Sequence, residues 1–149
     1  MSFSPFYFNQ QSTGSARQIL TDYTNASAIT AIPQAQACSV NGSGLLVPLD
    51  VSSQASWQAF VGYANVRIPT SALGSIISNG RLENITTSFT AGMPLFIGKD
   101  SNPTNIVPSV GVNGFVSGDA VIFMGVLVPN EDNPSELDIA LFTQVIGTL

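Results

Sequence analysis

Apolar residues follow two regimes along this chain. Before residue 44 they come in clusters with no sustained period, and beyond it they alternate or run in short blocks bounded by turn residues. The clearest block is 120–128 (AVIFMGVLV), a continuous apolar run with the signature of a strand buried on both faces. Residues 129–136 (PNEDNPSE) follow as a loop with two prolines and three acids. Leu137, Ile139, Leu141, Thr143 and Val145 then alternate with Asp138, Ala140, Phe142, Gln144 and Ile146, which is the period of a strand. Together these segments predict a central antiparallel pair, with Val121, Phe123, Val126, Val128, Leu141 and Val145 buried.

Upstream, Leu45, Val47, Leu49 and Val51 alternate with their neighbours, and Pro48 marks that strand as an edge or a bulge. Residues 52–60 (SSQASWQAF) fit a short helix with a serine cap, or equally a strand running on to Arg67. Residues 62–69 read as a strand stopped by Pro69. Asn79-Gly80 has the residue pair of a tight type I′ hairpin turn. Residues 85–90 (ITTSFT) are rich in strand formers, and 94–98 (PLFIG) make a short apolar strand before a polar turn at 99–104. Asn113-Gly114 and Ser117-Gly118-Asp119 mark further turns. Many short strands with almost no helix predict an all-β sandwich or barrel.

Residues 1–43 are harder to place. Phe3, Phe6, Tyr7 and Phe8 crowd the start, and Arg17 and Asp22 are the charges of the whole stretch. Residues 15–23 fit a turn or two of helix, and 24–37 a short strand. The chain therefore divides into an extended N-terminal arm, 1–43, and a β domain, 44–149. Four rings that near one another bury about 150–250 Å² each wherever they pack. They are the candidate partner-binding anchors, with packing on their own domain as the alternative.

Composition narrows the function. Charged residues make up 9% of the chain, against a usual quarter, and the net charge is −5. Ser, Thr, Asn and Gln together supply 48 residues, so the surface must be covered by uncharged polar groups. Such a surface suits a protein that hides much of itself in an assembly. There is no histidine and one cysteine, Cys38, which removes Ser-His-Asp, Cys-His and His-bearing zinc chemistry, and any internal disulfide. Four cations make no nucleic-acid footprint. The run at 120–128 is far short of the about 20 residues a membrane helix needs, and the opening MSFSPFYFNQ lacks the basic region of a signal peptide. The expectation is a protein that is not an enzyme, with no cofactor, no metal, no nucleic-acid partner and no membrane partner.

Individual candidates do not change that expectation. Glu131, Asp132, Glu136 and Asp138 bunch in one loop, but without Ca²⁺-loop spacing they read as solvated. Lys99 stands alone in a turn, and Cys38 has no cationic neighbour in sequence to activate it. Trp57, Phe60 and Tyr63 are the residues on which a sugar could stack, which sets the alternative reading: a carbohydrate- or receptor-binding β domain.

Residues 90–109 (TAGMPLFIGKDSNPTNIVPS) and 114–130 (GFVSGDAVIFMGVLVPN), with a closing segment at 139–149, resemble a pattern in capsid decoration, or cement, proteins of tailed bacteriophages. The resemblance implies a structural virion protein on the outer capsid surface, made in the host cytoplasm. Its partner would be the major capsid protein, its form a homotrimer, and its N-terminal arm a means of holding the shell; the carbohydrate- or receptor-binding alternative would then be a phage fibre or tail component.

Overall fold

The computed structural model describes residues 18–149. In chain order its elements are β1 (Ile19–Thr24), β2 (Ala37–Val40), β3 (Leu46–Pro48), α1 (Gln54–Gln58), β4 (Phe60–Ala64), β5 (Leu73–Asn79), β6 (Arg81–Ile85), β7 (Pro94–Ile97), β8 (Pro103–Thr104), β9 (Ala120–Pro129) and β10 (Leu137–Thr148). The strands form two antiparallel five-stranded sheets, ordered β1-β5-β4-β2-β3 and β6-β10-β9-β7-β8. The fold is all-β, as the periodicity predicts. The one helix among the described residues is a single short turn, capped where the Ser53 hydroxyl accepts the Ser56 N–H.

The sheets share one core. Ala37, Tyr63 and Ile77 enter it from the first sheet, and Leu82, Leu95, Ile122, Met124, Leu127 and Ile139 from the second. Tyr63 is fully buried, and its hydroxyl shares a 2.8 Å hydrogen bond with Thr143 of β10, which ties the two layers together. A second tie is Ser101, whose hydroxyl donates to the Leu49 carbonyl at 2.6 Å while its own carbonyl accepts the Ala37 N–H.

β9 and β10 form the expected antiparallel pair, from Leu137↔Pro129 to Thr148↔Ala120, and β9 is the central strand of its sheet. The predicted buried face is corrected. Ala120, Ile122, Met124 and Leu127 are buried, whereas Val121, Phe123, Val126, Val128 and Leu141 are half-buried and Val145 is 45% exposed. A continuous apolar run carries no phase, so sequence alone does not say which set faces in. The inward set also changes parity along the strand, from 120, 122 and 124 to 127. The change falls at Gly125, where φ is +154° and a Cβ would sit 2.1 Å from the Ala140 carbonyl oxygen. Glycine permits both the backbone angle and the close approach.

The arm boundary at residue 43 is also corrected. β1 and β2 are strands of the first sheet, with Ile19 opposite Asn79 and Ala37 opposite Tyr63. Between them, residues 25–35 fold over the sheet's other face. Ile32 and Ile68 exchange backbone hydrogen bonds at 2.9 and 2.8 Å, and the Asn25 amide donates to the carbonyls of Thr30 and Pro69. Beneath them lies a second core of Ile32, Cys38, Leu46, Ala64, Ile68 and Ile76. Strands β2–β5 of the first sheet are thus buried on both faces, Ile76 on one and Ile77 on the other, which erases the alternation that would have revealed them, while edge strand β1 is exposed from Ile19 to Asp22. Any arm is confined to residues 1–17, outside the described residues. The helical reading of 15–23 gives way to β1 from Ile19 onward.

Two smaller expectations change. Asn79-Gly80 is not a hairpin turn: β5 belongs to the first sheet and β6 to the second, so Gly80, at φ +99°, is the corner at which the chain changes sheets. Residues 86–90 are loop, because β6 ends at Ile85.

Unfolding in denaturant tests the phase of β9. Met124→Ala is expected to cost about 2–5 kcal/mol, and Gly125→Ala more than the roughly 1–3 kcal/mol of ordinary overpacking. Val145→Ala should stay within about 0.5 kcal/mol. A large loss at Val145 with little at Met124 would mean that the opposite face of the strand is the buried one.

Candidate interaction surface

The sequence candidates are dispersed by the fold. Phe3, Phe6, Tyr7 and Phe8 lie outside the described residues. Of the three rings considered for sugar stacking, Tyr63 is fully buried, Phe60 packs edge-on against it at 5.2 Å, and Trp57 leans on the core. They form no exposed platform. Cys38 is buried in the second core, and burial pushes its thiol up to about 12.

The acidic loop does not act as one unit. Asp138, expected among its solvated carboxylates, is buried. It holds Arg81 at 3.1 Å and accepts the Asn84 N–H and the Asn130 side-chain amide. Asn130 in turn accepts the N–H groups of Asp132 and Asn133, which shapes the loop from below. Glu131 reaches the same arginine at 3.7 Å. Among the described residues no three of His, Cys, Asp and Glu gather as metal ligands.

Lys99 has a structural role that its sequence context did not show. Its ammonium lies 2.6 Å from Oδ2 of Asp119, a carboxylate that is 1% exposed and also accepts the Val116 N–H. The pair closes the long excursion between β8 and β9. Phe115 inserts from this loop into the shared core, and positive φ at Gly111, Asn113 and Gly114 turns the chain back on itself. An open hollow of about 580 Å³ lies beside it, lined by Lys99, Asp100, Thr104 and Asn113 among others. It offers no free nucleophile–base pair, since Lys99 is held by Asp119.

What the loop presents outward is apolar. Ile106, Val107, Val110, Val112 and Val116 are all exposed. A second apolar group, Phe142, Val145 and Ile146, stands on the last half of β10. The end of the loop and the end of β10 are joined where Gly118 N–H donates to the Leu149 carbonyl at 2.7 Å and Leu149 N–H to the Asp119 carbonyl at 2.9 Å. Neither 101–118 nor 139–149 contains a charged residue. Scattered single hydrophobes are normal on a surface, but contiguous apolar groups mark contact sites. The absence of charge in those two stretches was visible in the sequence; that their ends are hydrogen-bonded to one another was not. Chemically the surface can bury apolar area and exchange neutral hydrogen bonds, so contacts there should be insensitive to salt and pH.

Burial works to raise the pKa of Asp119, but the Lys99 ammonium and the Val116 N–H outweigh it and hold the carboxyl below its ordinary 3.8. A depressed folded-state pKa contributes stability that is present above the unfolded value and is lost as pH falls through the folded one. Lys99→Met leaves the buried carboxylate uncompensated, reversing the shift. The Tm deficit of Lys99→Met is therefore expected to be largest near about pH 7 and to narrow below about pH 4. Adding Asp119→Asn should recover part of it. A deficit that does not change with pH would show that the pair is not what holds the loop.

Comparison of the chain with protein-family models, with curated proteins and with solved structures finds no match, so its assignment rests on its own residues and geometry.

Proposed function

We propose that this chain is a structural virion protein, a non-enzymatic cement that binds the outside of a phage capsid and cross-links major capsid protein subunits, with the homotrimer as its working form. The observation that carries this reading is the neutral apolar surface of loop 105–118, where Ile106, Val107, Val110, Val112 and Val116 are exposed, mounted on a two-sheet body. The residues that resemble decoration proteins supply the same region: 90–109 and 114–130 span β7, β8, the apolar loop and β9.

The mechanism is thermodynamic. Each copy that touches two shell subunits binds the closed shell and not the separated subunits, so its binding free energy opposes their parting. Linked copies add avidity without new contacts. A protein of this kind must resist dissociation, and the structure is suited to that: the core is closed without disulfides, and the exposed apolar groups offer area to a protein partner.

The test is rebinding. Capsids that carry the chain are stripped of it by mild denaturant and mixed with purified full-length protein. Saturable co-sedimentation and a higher temperature of shell opening are expected, with little loss of binding at about 0.5 M salt because the contacts are not ionic. Val107→Lys with Val110→Lys should reduce occupancy at least tenfold while leaving the melt of the free protein unchanged. No co-sedimentation of the wild type, or binding to glycans instead, would overturn the reading.

A further inference from the structure

A sheet edge with unpaired N–H and C=O groups invites another strand, and folded proteins blunt such edges. Most edges here are blunted. β3 is three residues long and ends in Pro48, and β8 is two residues long and starts at Pro103. β1 carries Asp22 in its middle. On β6 the carbonyls of Arg81 and Glu83 are taken by the side-chain amides of Gln18 and Gln34 at 2.8 and 3.1 Å.

The second half of β10 is treated differently. β6 pairs with β10 only as far as Ala140, and Leu141 N–H then meets the Gly80 carbonyl. Beyond that point β10 pairs with β9 alone among the described residues. The stretch 141–148 has no proline and no charge. It has two irregular steps, between Leu141 and Gln144 and between Val145 and Gly147. In these steps lie Phe142 and Ile146, which are 68% and 59% exposed. A bulge that turns a large apolar side chain into solvent places it for a partner.

We propose that this edge receives the aromatic segment 3–8 of a neighbouring copy of the same chain. Residues 1–16 are uncharged, as the edge is, and hold Phe3, Phe6, Tyr7 and Phe8. Four rings bury about 600–1,000 Å² between them, comparable to the roughly 800 Å² that each partner contributes to a standard interface. The donor is a neighbour because of the direction in which the chain leaves the sheet. β1 is antiparallel to β5, so the chain traced back from Ile19 runs on past the Gly80 corner, where Gln18 bonds Arg81 of β6. β6 runs antiparallel to β10, from Arg81 opposite Ala140 to Ile85 opposite Leu137. At Gln18 the described chain therefore points towards the 131–136 loop, away from 141–148 of its own copy. The ten Cα–Cα steps from Phe8 to Gln18 span at most about 33–36 Å, enough to reach an adjacent copy. An exchange in which every copy gives its arm to the next copy and receives one from the copy before is heterologous, and it closes as a ring such as a trimer.

This contact is independent of shell binding and is read on the purified chain alone. Sedimentation and light scattering of the full-length protein should show a closed oligomer. Two full-length variants, Phe142→Lys with Ile146→Lys (edge) and Phe6→Ser with Tyr7→Ser and Phe8→Ser (arm), should each fall to the mass of one copy with a cooperative melt retained. Mixed, they should re-associate as a two-copy species, since one supplies an intact arm and the other an intact edge. An excess of synthetic peptide 1–17 should dissociate the wild-type oligomer, a readout that needs no variant to fold. A monomeric wild type, an arm variant that stays oligomeric through β10–β10 pairing, a mixture that does not re-associate, or an oligomer indifferent to the peptide would each overturn the proposal.

Discussion

The close approach of β9 and β10 at Gly125 is the constraint on which the rest of the molecule depends. At that position a β-carbon would collide with the Ala140 carbonyl, and the backbone angle lies where side-chain-bearing residues are strained. The step moves the inward set of β9 from Ile122 and Met124 to Leu127, and so decides which residues meet Tyr63 and Ile77 from the opposite sheet. With the inward set chosen, Val121, Phe123, Val126 and Val128 are left on the outer face. The apolar character of that face, and of the bulged strand beside it, is a consequence of the same choice.

The first sheet solves a different problem. With few charged residues to mark a solvent face, its strands β2–β5 are covered on both sides, by the second sheet and by residues 25–35 and 65–72. The covering segments carry one charge, Arg67, and their hydrogen bonds are internal: Asn25 to Thr30 and Pro69, Ser27 to Asn25, and Ile32 with Ile68. This is how a chain so rich in Ser, Thr, Asn and Gln folds without many ion pairs. The amides and hydroxyls act as local staples, leaving Asp138 with Arg81 and Asp119 with Lys99 as buried charge pairs among the described residues. Each pins a loop: the first the turn between β9 and β10, the second the long excursion between β8 and β9. The apolar surface stands on that second loop, so the lysine and its carboxylate hold in place the proposed contact surface without taking part in it.

A contact site built this way suits permanent assembly more than regulated binding. It contains no group that titrates near neutral pH and no charge for salt to screen, and it is held on strands and a pinned loop, so little order has to be gained on docking. A cement protein has those requirements, since its partners should not be released by ordinary changes of solution.

Sequence by itself determined the class of the fold and the pairing of its last two strands. Residues 137–146 alternate, 120–128 run apolar, and a loop rich in proline and acids separates them; these signals are local and need no partner to be read. Composition likewise excluded His- and Cys-based chemistry at once. Which face of β9 is buried, that residues 19–40 belong to a sheet, and that Gly80 is a corner were decided only by tertiary structure. Each depends on what lies across the chain: a carbonyl opposite Gly125, a second layer over Ile76, a second sheet waiting for β6. The same holds for the surface. The uncharged stretches 101–118 and 139–149 were legible as sequence, but hydrogen bonds between residues 118–119 and Leu149 make them neighbours, and contacts between residues distant in the chain leave no periodic trace along it.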